Sequence, residues 1–437
     1  MQKVIAALWG ALFVGAITVA SAQPLPREST RESTRESTRE STRESAREFA
    51  PNLLNKPLPQ WTQAEREWGF RNWESRVSVR AVRKGNVVRA LPSGAPIAAL
   101  NAGTPGAERL DKFMADYKTA GLLVLQDGAI RLERYALGHS ADSRWTSFSV
   151  AKSLTSVLVG AALKDGFIKS IDDPITNYIK GLNGSGYDGV TVRQLLTMTT
   201  GVAWNEDYTD PNADVYKLLR TPPVEGLDAT TSYMRAVKPL PKLVRSLRGN
   251  PWLYNTGETN LLGILVREAT KKPLAVYASE KIWAAYGMEQ DANWQLDPTD
   301  AEVGGCCLQA TTRDFGRIGQ FVLEGARIGG KGGGGGEGGK GGTAIVPDGY
   351  LESSTQKQAD IGAPGRGYGY QWWTRDDGTF DAVGIHGQII HIDRARKLVI
   401  VMNSAWPRAT GSDLSAARNV FIDNVKAMLD AEQRAGK

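Results

Sequence analysis

The chain has little cysteine and little histidine, and both shortages narrow its chemistry. Among 437 residues there are two cysteines, the neighbours Cys306 and Cys307. Adjacent residues reach disulfide geometry only with strain, so they are expected as a buried thiol pair and supply no disulfide framework. The three histidines, His139, His386 and His391, are scattered. With no HExxH and no cysteine pair at metal spacing, no metal site is expected. His139 follows Gly138 in a turn and is expected to be exposed, while His391 alternates with isoleucines and reads as structural. The sequence G-x-S-x-G is absent, so the nucleophile elbow of the α/β-hydrolases has no candidate. Charge is nearly balanced at +6, and no Lys/Arg run is dense enough to suggest a nucleic-acid partner.

What is present is an ordinary globular composition, 41% hydrophobic and 23% charged, on a chain long enough for a large core. Lys3, the apolar stretch Val4 to Val19 and the small residues Ala20-Ser21-Ala22 have the layout of an export signal cleaved before Gln23. Residues 1–22 are therefore read as a signal peptide and the mature chain as periplasmic or secreted, without stable membrane insertion. Residues 23–50 carry a near-perfect Arg-Glu-Ser-Thr repeat with no apolar face at any period, the signature of a solvated linker. Residues 329–342 are nearly all glycine. Gly334, Gly339 and Lys340 have the spacing of a phosphate loop, but Gly341 stands where Ser or Thr is needed and no helix pattern follows. That tract is read as an expanded surface loop.

The remainder, 51–437, is foldable throughout. Leu122 to Gln126 and Ile130 to Tyr135 read as strands joined by Asp127-Gly128, a hairpin signal. Ser149 to Lys164 reads as a helix stopped by Asp165-Gly166. The stretch 172–305 is mostly helix and proline-punctuated loop. Thr312 to Leu323 is a helix with Thr312 as N-cap. Strands follow at Tyr368 to Thr374, Ala382 to Ile385, Ile389 to Asp393 and Lys397 to Asn403, before a closing helix from about Ser412 to Ala431. Strands at both ends with helices between predict an α+β fold, a central antiparallel sheet flanked by helices with a mainly helical lobe inserted.

The sharpest chemical signal is Ser149-Val150-Ala151-Lys152 at a predicted helix start. A serine hydroxyl is a poor nucleophile until a base takes its proton. A residue three positions on in a helix lies on the same face, so Lys152 reaches Ser149. It acts as a base if burial brings its pKa toward neutrality. By itself the tetrapeptide reads first as an N-cap serine and a surface lysine. Its flanks, Trp145-Thr146-Ser147-Phe148 before and Ser153 after, together with two later stretches, decide between these. The later stretches are Trp252-Leu253-Tyr254-Asn255-Thr256-Gly257-Glu258 and, near the C-terminus, Gly384-Ile385-His386-Gly387-Gln388.

These three motifs in order resemble the serine β-lactamase and penicillin-binding-protein superfamily, and within it the class C-like branch of esterases and 6-aminohexanoate-dimer hydrolases. The resemblance runs from roughly residue 65 onward and implies a β-lactamase/transpeptidase-like fold. It further implies a Ser149 acyl-enzyme with Lys152 and Tyr254 moving the proton, and an oxyanion held by the Ser149 and Gln388 N–H groups. Tyr208, His386 and Gly387 would then contact a small ester or linear amide, with no cofactor. Two departures bear on substrate. Thr256 stands where the second motif usually has Asn, and Ile385 where the third usually begins with a cation. Loss of that cation weakens the alternative of a β-lactamase or D-alanyl-D-alanine carboxypeptidase. A non-catalytic penicillin-recognising or scaffold protein is the other alternative. The sequence leaves the oligomeric state open.

Overall fold

The computed structural model describes residues 53, 56–242, 244, 251–329 and 342–435. The signal segment 1–22, the repeat tract within 23–50 and the glycines at 330–341 lie outside them. Thr62, whose side chain accepts from the Glu65 N–H, starts the first helix considered, Gln63–Arg71 (α1). After it come Val79–Val82 (β1), Pro105–Asp116 (α2) and the hairpin Thr119–Gln126 (β2) and Ala129–Tyr135 (β3). The hairpin turn places both Asp127 and Gly128 at positive φ, the backbone a two-residue turn of matching twist requires. Arg144–Thr146 (β4), Val150–Lys164 (α3), Thr256–Thr270 (α4), Ala292–Gln295 (β5), Leu308–Thr311 (β6) and Thr312–Leu323 (α5) make the middle of the chain. The C-terminal part is Arg366–Tyr368 (β7), Trp373–Arg375 (β8), Phe380–Gly384 (β9), Gln388–Asp393 (β10), Leu398–Ser404 (β11) and Ser412–Ala435 (α6).

The main sheet has seven strands in the order β3-β2-β11-β10-β9-β8-β7, every neighbour antiparallel. It is therefore built from both ends of the folded region, as the sequence predicts. Residue alternation along β2 explains how it is covered. Leu122 and Val124 face a core shared with Leu110 and Met114 of α2 and Phe421, Ile422 and Val425 of α6. Leu123 and Leu125 face the opposite way, into the core that holds α3, α4 and α5. A strand buried on both faces reads as a continuous apolar run, which is what Leu122 to Leu125 shows.

Four sequence expectations are corrected. The stretch 172–305 is not helical to its end, because β5 leaves it to join a second sheet of order β1-β5-β6-β4. These strands have three or four residues each, and β1 and β4 pair with segments far away in sequence, so no local periodicity marks them. The strand expected over Tyr368 to Thr374 is two strands, split where Gln371 takes a left-handed backbone (φ 65°). The N-cap of α5 is Thr311, whose hydroxyl accepts from the Asp314 N–H. His139 is buried rather than exposed, bridging Thr312 at 3.0 Å and Ser143 at 2.6 Å.

Helix α5 lies directly on the sheet because it presents glycine there. A Cβ at Gly319 would fall 2.4 Å from Val399 Cγ1 and 2.9 Å from Ile390 Cγ2. Gly319→Val is therefore expected to lower stability by about 1–3 kcal/mol through overpacking, read as a fall in the urea midpoint with unchanged m-value. An unchanged midpoint would show that α5 does not pack against the sheet this closely.

Candidate active site

Ser149 sits at the N-cap of α3, yet its hydroxyl makes no capping bond. Instead Ser149 Oγ accepts from Lys152 Nζ at 3.2 Å. The residue before it, Phe148, holds a left-handed backbone (φ 44°). Such a backbone is costly for a bulky residue and persists only where packing fixes it. Phe148 is held edge-on against Phe70 at 4.9 Å and Trp73 at 5.3 Å. The turn thus presents the serine to an apolar-walled cavity of about 420 Å³.

Lys152 is 1% exposed. Its ammonium has three protons, and each has one acceptor: Ser149 Oγ at 3.2 Å, Thr256 Oγ1 at 2.8 Å and the Gly305 carbonyl at 2.7 Å. Burial pushes the group down to about 8, opposed by the charge of Glu206. Near neutrality it loses a proton readily. The longest of the three contacts, that to Ser149, is the one free to reverse, with the serine hydroxyl donating to the amine. The Gly305 loop is itself pinned, since its N–H donates to Asn260 Oδ1 on α4 at 2.8 Å.

The Tyr254 phenol lies beside Ser149 and is held above its ordinary range by burial first and by the Glu206 charge second. Lys152 Nζ lies 5.2 Å from the Tyr254 ring centre. Two titratable groups thus flank one serine, one pushed down and one pushed up.

Glu206 was not singled out in the sequence. Its carboxylate accepts from the Thr256 N–H at 2.8 Å and from Tyr208 OH at 2.6 Å, and also from the Thr256 hydroxyl and the Trp204 indole. Thr256, the departure in the second motif, thus accepts from Lys152 and donates to Glu206, coupling that carboxylate to the lysine. Position beside Tyr208 in a polar loop was the available signal, and it is weak. Glu258, by contrast, is buried, accepts from Thr200 OH, and is held well above the usual carboxylate range, chiefly by burial.

The structure brings Ser149, Lys152, Tyr254 and Tyr208 together; Ser149 and Tyr208 line the cavity. It does not bring the third-motif side chains there. His386 packs against Phe70 and Phe148, and its Nδ1 donates to the Trp406 carbonyl at 2.8 Å. Gly387 lies against Trp406, where a Cβ would fall 2.5 Å from the indole. The Gln388 amide donates to the carbonyls of Ile385, His386 and Ser404. From this turn Ile385 lines the cavity. Its predecessor explains why: a Cβ at Gly384 would sit 2.5 Å from the Ser147 carbonyl and 3.1 Å from the Ser149 nitrogen. Only glycine lets β9 end against the nucleophile's backbone, and the next residue, Ile385, follows at the cavity wall.

Cys306 and Cys307 also line the cavity. Contrary to the thiol expectation they are joined as a disulfide. The Cys306 N–H closes a turn onto Val303 and Cys307 adopts φ 68°, which sets the neighbouring side chains on one side. Among the described residues no group of three His, Cys, Asp or Glu side chains is placed to hold a metal ion.

The Beta-lactamase family profile matches residues 107–424. A 6-aminohexanoate-dimer hydrolase of Paenarthrobacter ureafaciens is 28% identical over 384 residues, covering 86% of this chain and 94% of that protein. A Bacillus anthracis protein provisionally described as a 6-aminohexanoate-dimer hydrolase superposes with a TM-score of 0.69 at 24% identity, covering 87% and 96% of the two chains. A penicillin-binding protein of Bacillus halodurans shares the fold with a TM-score of 0.54 at 16% identity, over 71% of this chain and 99% of its own. A family match over most of the chain makes this chain a serine hydrolase belonging to the Beta-lactamase family.

Proposed function

We propose that the chain cleaves a small ester or linear amide through an acyl-enzyme on Ser149. The observation that carries the reading is the buried Lys152 amine, bonded to Ser149 Oγ at the edge of an apolar-walled cavity. Neutral Lys152 takes the hydroxyl proton as Oγ attacks the carbonyl carbon. Tyr254, kept protonated, passes a proton to the leaving oxygen or nitrogen and is reprotonated through Lys152. The Ser149 N–H at the start of α3, with the Gln388 N–H of the third-motif turn, receives the developing oxyanion. Water then attacks the ester by the reverse proton path. The Paenarthrobacter ureafaciens relative is named for hydrolysis of the 6-aminohexanoate dimer, a linear amide, and its substrate belongs to the class proposed. Export through residues 1–22 is part of the same proposal and places the reaction in the periplasm or outside the cell.

Intact-mass spectrometry after exposure to p-nitrophenyl esters, a penicillin and an aminohexanoate dimer tests the nucleophile. An acyl adduct is expected with an ester and none in Ser149→Ala, whose turnover should fall on the order of 1000-fold or more. Labelling of the variant as strong as that of wild type would refute the assignment.

The lysine makes a separate prediction. Because its neutral form is the base, kcat/KM for an activated ester should rise with pH and level off above about 8. Glu206→Gln removes an anion that favours the ammonium, so the inflection should move to lower pH. An inflection that stays in place or rises in that variant contradicts the coupling through Thr256.

A further inference from the structure

Among the described residues the cavity beside Ser149 is lined by no aspartate or glutamate, but by three basic side chains, Lys56, Arg76 and Arg220. Two of these are engaged. Lys56 pairs with Glu65 at 2.8 Å. Arg220 donates from its guanidinium to the Tyr216 and Pro211 carbonyls at 2.9 and 2.6 Å. Arg76 is not. Its guanidinium lies over two indoles, 4.7 Å from the Trp61 ring and 4.9 Å from Trp73. Its Nε is buried with no hydrogen-bond partner, and the group forms no ion pair or side-chain hydrogen bond with any described residue. Burial alone pushes it down to about 10, with no acidic neighbour to offset the effect.

A half-buried guanidinium without a counterion is less favourable than one in open water, and stacking on aromatic faces returns part of that loss. Such a group, in a cavity with no anion of its own, is complementary to an anion brought by a ligand. The planar fork of donors fits a carboxylate in two parallel hydrogen bonds. Its place is next to the chemistry: Trp73, on which Arg76 stacks, stands 5.3 Å from Phe148, the residue before the nucleophile.

We propose that Arg76 binds a carboxylate of the substrate, so that the ester or amide cleaved at Ser149 carries a carboxylate remote from the scissile bond. This rests on the reading of Ser149 as the nucleophile of this cavity.

The test compares two p-nitrophenyl esters of matched length, the glutarate monoester with a free carboxylate and its methyl ester, in wild type, Arg76→Gln and Arg76→Lys. Wild type should favour the carboxylate by at least about 10-fold in kcat/KM. The ratio should fall toward one in Arg76→Gln and be partly kept in Arg76→Lys. Calorimetric titration of Ser149→Ala with monomethyl and dimethyl glutarate should show the same gap without turnover, and the gap should close when Arg76→Gln is added. No preference in wild type, or one that survives Arg76→Gln, overturns the inference while leaving ester hydrolysis intact. Absence of Ser149-dependent turnover with both esters would instead overturn the proposed function, and the calorimetric gap then decides Arg76 by itself.

Discussion

The site depends on one buried cation. Lys152 lies in the interior with all three ammonium protons donated, to a serine, a threonine and a backbone carbonyl. Removing a charge from water is expensive unless hydrogen bonds or a counter-charge compensate. Here the compensation is partial. Neutral acceptors surround the amine, and the nearest coupled anion, Glu206, acts through Thr256. The group is therefore poised near neutrality rather than locked as an ammonium, and that poise is what a serine needs from its base.

The rest of the fold reads as the means of holding that environment. Helix α3 fixes Ser149 and Lys152 on one face. Helix α4 supplies Thr256 and Asn260, the latter accepting from the Gly305 N–H. The end of β9 reaches the Ser149 backbone through Gly384, where a side chain would strike the Ser147 carbonyl. The aromatic group Trp61, Phe70, Trp73 and Phe148 holds the left-handed turn before Ser149 and, on its outer side, carries Arg76. One packed cluster thus shapes the nucleophile turn and lines the cavity it faces.

Local features were legible in the sequence and long-range ones were not. The i,i+3 pair Ser149 and Lys152, the hairpin at Asp127-Gly128 and the two-sided apolar run of β2 each follow from a short window. So did Tyr254, once the order of the motifs was considered. The short strands β1 and β5 left no mark because their partners are far apart in sequence. The third-motif turn misled for a related reason. His386 and Gln388 are the residues whose chemistry attracts notice, but the turn directs them into the protein and leaves Ile385 at the cavity. Glu206 and Arg76 carried no motif at all, since what distinguishes them is a shared threonine in one case and a missing counterion in the other.

The account is tested most directly by titrating Lys152 itself. Lysine labelled with 13C at Cε, with the Lys152 resonance assigned through Lys152→Arg, reports its charge as pH is raised. A midpoint at about 8 is the result this account requires. A midpoint at the ordinary lysine value of about 10.4 would mean that the amine stays charged at neutral pH and does not serve as the base for Ser149.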